Sequence, residues 1–175
     1  LQPAADCRRR RLCRLERHRS HPLAGRLHPG GLGPVGYVQD MESGKFWSIA
    51  YLPTAVQPSQ RDVYFHPHQI SYSSRHGDIS TTMNVTVPPD DEVELRQVEL
   101  TNHSERPRRM RIVSYGEVIL TAQGADRRHP AFNKLFIRSE WEPGHDILLF
   151  HRRPRSKKDT RIFMGHALVC RERPE

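Results

Sequence analysis

The run from Met110 to Leu120 repeats with a period of two. Met110, Ile112, Ser114, Gly116, Val118 and Leu120 fall on one face, and Arg109, Arg111, Tyr115 and Glu117 on the other. An extended chain with one buried face needs that pattern, and a helix cannot use it. A second run is cleaner still. Ile79, Thr81, Met83, Val85 and Val87 alternate with Ser80, Thr82, Asn84 and Thr86, until Pro88-Pro89-Asp90-Asp91 ends the strand. No stretch carries an amphipathic helix of useful length; Ala122 to Arg128 has room for a helical turn at most. The core must therefore be built from sheets.

The centre of the chain is Val93 to Leu120. Two β-type runs flank Asn102-His103-Ser104-Glu105-Arg106-Pro107, whose Asn, Ser and Pro supply turn chemistry. The expectation is an antiparallel hairpin with one face in the core. In the first run the phase slips, because Val93 and Leu95 share one parity and Val98 and Leu100 the other. One extra residue at Arg96-Gln97 would repair the register, so a β-bulge is expected there.

Other strands follow from the same signals. Tyr37 to Asp40 and Lys45 to Tyr51 flank Met41-Glu42-Ser43-Gly44 as a hairpin. Val63 to His66 and Gln69 to Arg75 lead to a turn at His76-Gly77-Asp78. Phe132 to Trp141, Ile147 to His151 and Ile162 to Cys170 are the later strands, with a basic loop from Arg152 to Thr160. Strands recurring every roughly 8–14 residues with turns between them predict an all-β antiparallel sandwich, not βαβ units.

The charge is uneven. Residues 1 to 33 hold eight arginines against Asp6 and Glu16, a net +6 out of the chain's +8. The body is nearly neutral, which weakens a nucleic-acid-binding reading. Residues 1 to 35 show neither period and are expected to form a disordered basic tail without function. Ordering each residue costs about 1–2 kcal/mol, with little apolar area here to offset it. Arg8 to Arg11 has the charge to bind phosphate or to serve as a localisation run. No apolar run is long enough to span a membrane, and no secretory signal opens the chain. Cys7, Cys13 and Cys170 are too few and scattered for a disulfide framework, so a reducing compartment is the simpler reading.

Candidate sites are sparse. His66 and His68 could point the same way from a strand, but Pro67 interrupts it and no third ligand lies close, so no metal site is expected. Asp40 with Glu42, and Asp90-Asp91-Glu92, are paired acids of the kind glycosidases use. Both sets sit at turns, where solvated acids are ordinary. Trp47 and Trp141 could stack a sugar ring, or serve as core or edge aromatics of a sandwich. His129-Pro130-Ala131-Phe132-Asn133-Lys134-Leu135-Phe136 is the most unusual run, and follows a long loop where function tends to gather. Trp47, His129, Phe132 and Lys134 are the expected carbohydrate contacts, and no catalytic residue is expected.

Four runs carry a family resemblance: Tyr37-Val38-Gln39-Asp40 with Ser43-Gly44 and Trp47-Ser48; Arg96 to Asn102; Ser114-Tyr115-Gly116-Glu117-Val118; and His129 to Phe136. From Gly36 to about Val169 the chain resembles the N-terminal β-domain of the cyclic β-1,2-glucan synthase and cellobiose phosphorylase family, on its glucan-synthase branch. The resemblance implies a galactose-mutarotase-like supersandwich. In the family this precedes a helical linker and an (α/α)-barrel carrying the catalytic acid. The chain is then expected to be truncated, with residues 36–175 as the sandwich and the barrel absent. Its implied role is non-catalytic: shaping a sugar cleft for a parent acting on β-glucan or oligosaccharide. The barrel would be its partner in cis, and a homodimer contact is implied by the phosphorylases. No cofactor is implied for the chain itself; inorganic phosphate belongs to a full-length parent of the phosphorylase type. The implied location is the cytoplasmic side, with inner-membrane association left to the parent.

Upstream of Gly36 the sequence is expected to match nothing in the family. Back-translating Arg19 to Gly36 with permitted codons and reading one base later gives a tryptophan-containing stretch similar to the family's approach to Tyr37. Residues 1–35 are therefore expected to be non-native, through a frame slip. The rival to a fragment of a larger enzyme is a free-standing carbohydrate-binding sandwich.

Overall fold

The computed structural model describes residues 5–7, 11–19, 35–156, 159 and 161–170; for 5–7 and 11–19 it describes the backbone alone. Two antiparallel sheets are formed. In spatial order the smaller holds β1 (Ala5–Cys7), β9 (Arg108–Tyr115), β3 (Val35–Asp40) and β4 (Phe46–Ser48). The larger holds β10 (Ile137–Glu142), β11 (Ile147–Arg152), β12 (Phe163–Cys170), β2 (Arg11–Arg19), β8 (Val93–Asn102), β7 (Ile79–Thr86), β6 (Ile70–His76) and β5 (Gln60–Phe65). Two short helices, α1 (Gln123–Arg128) and α2 (Pro130–Lys134), join the sheets between β9 and β10. No helix among the described residues is long and apolar enough to cross a membrane.

The core lies where the small sheet covers the β6–β8 end of the large one. Val38, Trp47, Ile49 and Met110 meet Ile79, Met83, Val98 and Leu100, all at most 4 % exposed. Full burial of each such side chain is worth about 1.5–3 kcal/mol. The alternation expected for β7 and β9 is observed: Ile79, Thr81 and Met83 are buried, as is Met110, with Ile112 packed against the cluster. Local chemistry sets the turns. Gly44 and Gly77 adopt φ of +72° and +61°, which side chains with a Cβ resist, and they turn β3 into β4 and β6 into β7. Gly36 is small for another reason: a Cβ there would lie 2.7 Å from Cδ1 of Ile49.

Three expectations are corrected. First, β8 and β9 do not form a hairpin. β8 pairs with β7 and β2 in the large sheet, and β9 pairs with β3 and β1 in the small one. Asn102 builds the corner, donating through Nδ2 to Arg106 O at 2.8 Å and accepting the Ser104 amide at 3.0 Å. Period-two alternation shows that a run faces a core, not which strand it pairs with.

Second, β8 is unbroken at Arg96-Gln97: both residues pair with β7 and with β2. The irregularity falls in β2, between Leu15 and His18. The apparent phase slip has another source. Arg96 is buried on the inward face and its Nε donates to Glu94 Oε1 at 2.5 Å. A partnered polar pair occupies the inward positions next to Val98 and Leu100, which mimics a change of register.

Third, Phe132 to Phe136 is not strand. Pro130 opens α2 at a position where its missing N–H costs nothing, and β10 begins only at Ile137.

Of the first 34 residues the structure describes only β1 and β2. β1 pairs with β9, and β2 lies between β8 and β12 in the large sheet. The rest of the segment expected to form a tail lies outside the described residues.

Candidate functional site

Two of the four sequence runs meet at α2. Lys134 Nζ lies 3.0 Å from Glu117 Oε1, so His129–Phe136 is tied to Ser114–Val118. Together they wall a cleft of about 270 Å³ that is lined by Glu117, Val118, Lys134, Ile137, Ser139 and Phe150. Ile137 and Ser139 alternate along β10, and Ser139 pairs with Phe150, so one face of β10–β11 makes the floor.

Asn133 holds this corner together. It is 5 % exposed, and its Nδ2 donates to the carbonyls of Ala125 at 2.8 Å and His129 at 3.0 Å. Its Oδ1 accepts from Arg152 Nη2 at 3.5 Å. Phe132 and Phe136 meet edge to face at 5.2 Å. Arg155 lies over both rings, at 5.1 and 5.3 Å from their centroids, and Arg152 lies 5.5 Å from the Phe136 ring. Such contacts hold the guanidinium groups because the ring face is electron-rich, and Asp159 in the same loop accepts the Arg155 amide at 2.8 Å. The basic loop after β11 is therefore a clamp on α2. Sequence reading missed Arg152, Arg155 and Glu117 as neighbours of this site; only the sheet register brings them there.

His129, Phe132 and Lys134 thus share one corner, with His129 exposed and Phe132 45 % exposed. Trp47 is elsewhere. It is 4 % exposed between the sheets, stacked on His76 at 4.6 Å, so it has no face to offer a sugar and is corrected to a core residue. Trp141 is the tryptophan in the open, 59 % exposed on β10.

The remaining candidates are structural in character. Asp40 and Glu42 both pair with Arg108, Glu42 at 3.2 Å. Burial pushes the Asp40 carboxyl up, but the Ser43 hydroxyl, the Glu42 amide and the Arg108 guanidinium outweigh it and hold the carboxyl below its ordinary value. An acid so committed closes the β3–β4 turn and is not poised to give up a proton. His66 and His68 stack with ring centroids 6.0 Å apart and planes 28° apart. Among the described residues no three His, Cys, Asp or Glu side chains gather as metal ligands. Asp90, Asp91 and Glu92 are exposed in the β7–β8 connection.

Comparison with known proteins agrees with this architecture. A profile of the family described as glycosyl hydrolase 94, supersandwich domain, matches residues 7–175. The match starts upstream of Gly36, which corrects the expectation that the leading segment has no counterpart in the family. The chain is 27 % identical over 137 residues to cyclic beta-(1,2)-glucan synthase NdvB of Rhizobium meliloti (strain 1021), covering 78 % of this chain and 5 % of that protein. It is 28 % identical over 118 residues to solabiose phosphorylase of Paenibacillus borealis, covering 66 % of this chain and 14 % of that one. It is 27 % identical over 112 residues to N,N'-diacetylchitobiose phosphorylase of Vibrio furnissii, covering 62 % and 14 %. The chain thus spans a small part of the length of the curated relatives it matches. On the span of the profile match, and on the two antiparallel sheets that fill it, the chain belongs to the glycosyl hydrolase 94 supersandwich-domain family.

Proposed function

We propose that this chain is the non-catalytic, sugar-supporting sandwich of a larger glycosyltransferase or glycoside phosphorylase acting on β-glucans. The observation that carries the reading is the family match over residues 7–175 together with the 5–14 % share of the relatives that the chain covers. In this reading the parent's barrel is the partner in cis and holds the catalytic acid. Inorganic phosphate is its co-substrate if the parent is a phosphorylase, and the parent works on the cytoplasmic side, as a homodimer in the phosphorylase case.

The cleft at α2 is the part that touches sugar. Lys134 and Glu117 are each about two-fifths exposed, with side-chain exposures of 43 % and 39 %. Paired across the rim, they offer a donor and an acceptor to hydroxyl groups, and Phe132 offers an apolar face. Titration of the isolated chain with linear β-1,2-glucan oligosaccharides, followed by NMR, tests the assignment. Shifts should cluster at Glu117, Phe132, Lys134 and Ser139, and Lys134→Ala should weaken binding several-fold. As an exposed pair, its loss should cost below about 1 kcal/mol of stability. Shifts confined to other surfaces would refute the cleft. Turnover of a β-glucan by the purified chain would refute the non-catalytic role.

A further inference from the structure

The outer face of β5–β8 carries an unusual set of side chains. Tyr72 and Met83 pair with each other and belong to the core, so Ser71 and Asn84, one residue along each strand, point outward. Register extends that outward row to Tyr64 on one side and Gln97 on the other. The row beside it is Asp62, Ser73, Thr82 and Glu99. Of these residues only Asp62 and Glu99 carry charge. An edge strand is ordinarily guarded by charge. From Val63 to Gln69, at the end of the edge strand β5, the chain instead holds no Lys, Arg, Asp or Glu.

Three aromatic rings stand in sequence there. Tyr64 and His66 have centroids 6.4 Å apart with planes 30° apart, and His66 and His68 follow at 6.0 Å. Tyr64 is 56 % exposed, and both histidines are exposed. A polar relay runs beside them. Gln69 Nε2 donates to Ser71 Oγ at 3.1 Å, and the Ser71 hydroxyl donates to Asn84 Oδ1 at 2.7 Å. The relay fixes both amides and uses one atom of each. Among the described residues Asn84 Nδ2, a donor, and Gln69 Oε1, an acceptor, have no partner.

A sugar ring has apolar C–H faces and a rim of hydroxyl groups that both donate and accept. It is matched by exposed aromatic surface beside fixed, uncharged donors and acceptors. We propose that Tyr64, His66, Gln69 and Asn84 form a second carbohydrate-binding surface, for a neutral oligosaccharide. A charged ligand would find no counter-charge on these four side chains. β5 and β10 are opposite edges of the large sheet, so this surface and the α2 cleft are well separated. A long glucan held at both points would be retained more strongly than at either one. The surface rests on the reading that the parent handles glucans, but not on the cleft.

Titration of the full chain with linear β-1,2-glucan oligosaccharides, followed by NMR, tests it. The Tyr64 ring, the His66 ring and the Asn84 side-chain amide should shift saturably. Tyr64→Ala should weaken that binding several-fold, and Tyr64→Trp, which keeps an aromatic ring, should preserve it. Asn84→Ala, on β7, should weaken it while leaving β5 unaltered. Lys134→Ala should leave it unchanged, and so should added sodium chloride, because no charge is being screened. Shifts at the cleft with none at Tyr64 would overturn this surface and leave the proposed function standing. Shifts at neither place would overturn both. Binding at Tyr64 that salt abolishes would assign the surface to a charged ligand and overturn the proposal. Shifts at Tyr64 that follow protein concentration without sugar would assign it to a second copy, and shifts produced only by zinc chloride would assign the histidines to a metal; each would overturn it.

Discussion

The two halves of the large sheet's inner face share one alternation and one register, yet they differ in what covers them. Over β6–β8 the small sheet supplies Val38, Trp47, Ile49 and Met110, and the floor residues are almost wholly buried. Over β10–β12 no described strand lies above, and Trp141 and Leu168 remain half in solvent. Amphipathic alternation therefore fixes which side of a strand turns inward, while burial depends on a second layer arriving. The two tryptophans show this directly. Trp47 and Trp141 are equally apolar, but one is core and the other is open.

The largest expected effect comes from the strand that joins the halves. β2 lies between β8 and β12, so a polypeptide beginning at Gly36 would lose both ladders. Its melting temperature should fall well below that of the full chain, with β10–β12 losing amide protection first in hydrogen exchange. An unchanged melting temperature would instead mean that residues 1–35 add nothing, as their lack of periodicity implies. Resequencing the coding DNA around Val35-Gly36 tests the frame slip separately.

A matched pair of truncations compares the halves themselves. Met110→Ala, at a fully buried position, should cost about 2–5 kcal/mol in urea unfolding. Leu168→Ala, at a half-exposed position, should cost less than about 1 kcal/mol in the isolated chain. Equal costs would show that the open half is already packed in solution.

The covered half also holds a buried ion pair. Asp40 and Arg108 have side-chain exposures of only 6 % and 12 %. Arg108→Ala leaves the carboxylate buried and should destabilise by about 3 kcal/mol at neutral pH. The Asp40 carboxyl is held below its ordinary value of 3.8, so its contribution is present above that pH and is lost as pH falls through the folded-state value. The variant should therefore show a shallower acid limb in a plot of unfolding free energy against pH.

The smallest effect belongs to His76, which lies under Trp47. Burial holds its imidazole below the ordinary value of 6.5, so the folded state binds its proton less readily than the unfolded state. Stability should decline as pH drops below about 6.5, and His76→Phe should flatten that decline without changing stability at pH 8 by much.

Much of the candidate site was legible in the chain. His129, Phe132 and Lys134 stand together because Pro130 and Asn133 shape one short turn, and short-range chemistry can be read from a sequence. Glu117, Arg152 and Arg155 were not legible as its neighbours, because the contacts span 16 to 23 positions and depend on how β9, α2 and β11 are placed. The corner at Asn102 was recognised as a turn but not as a change of sheet, since both outcomes use the same residues. Arg96 read as a register fault because a sequence shows charge, not the Glu94 partner that makes burial tolerable.

By itself the sequence determined that this protein is built of antiparallel strands, where β6, β7, β8, β11 and β12 lie to within a residue or two, and which face of β7 and β9 turns inward. Those properties follow from backbone periodicity and turn chemistry within a few residues. Only the tertiary structure decided that β8 and β9 part company into different sheets, that β2 joins the two halves of the large sheet, and which tryptophan is buried. Those outcomes depend on which layer packs over which strand, and that is settled by contacts between segments far apart in the chain.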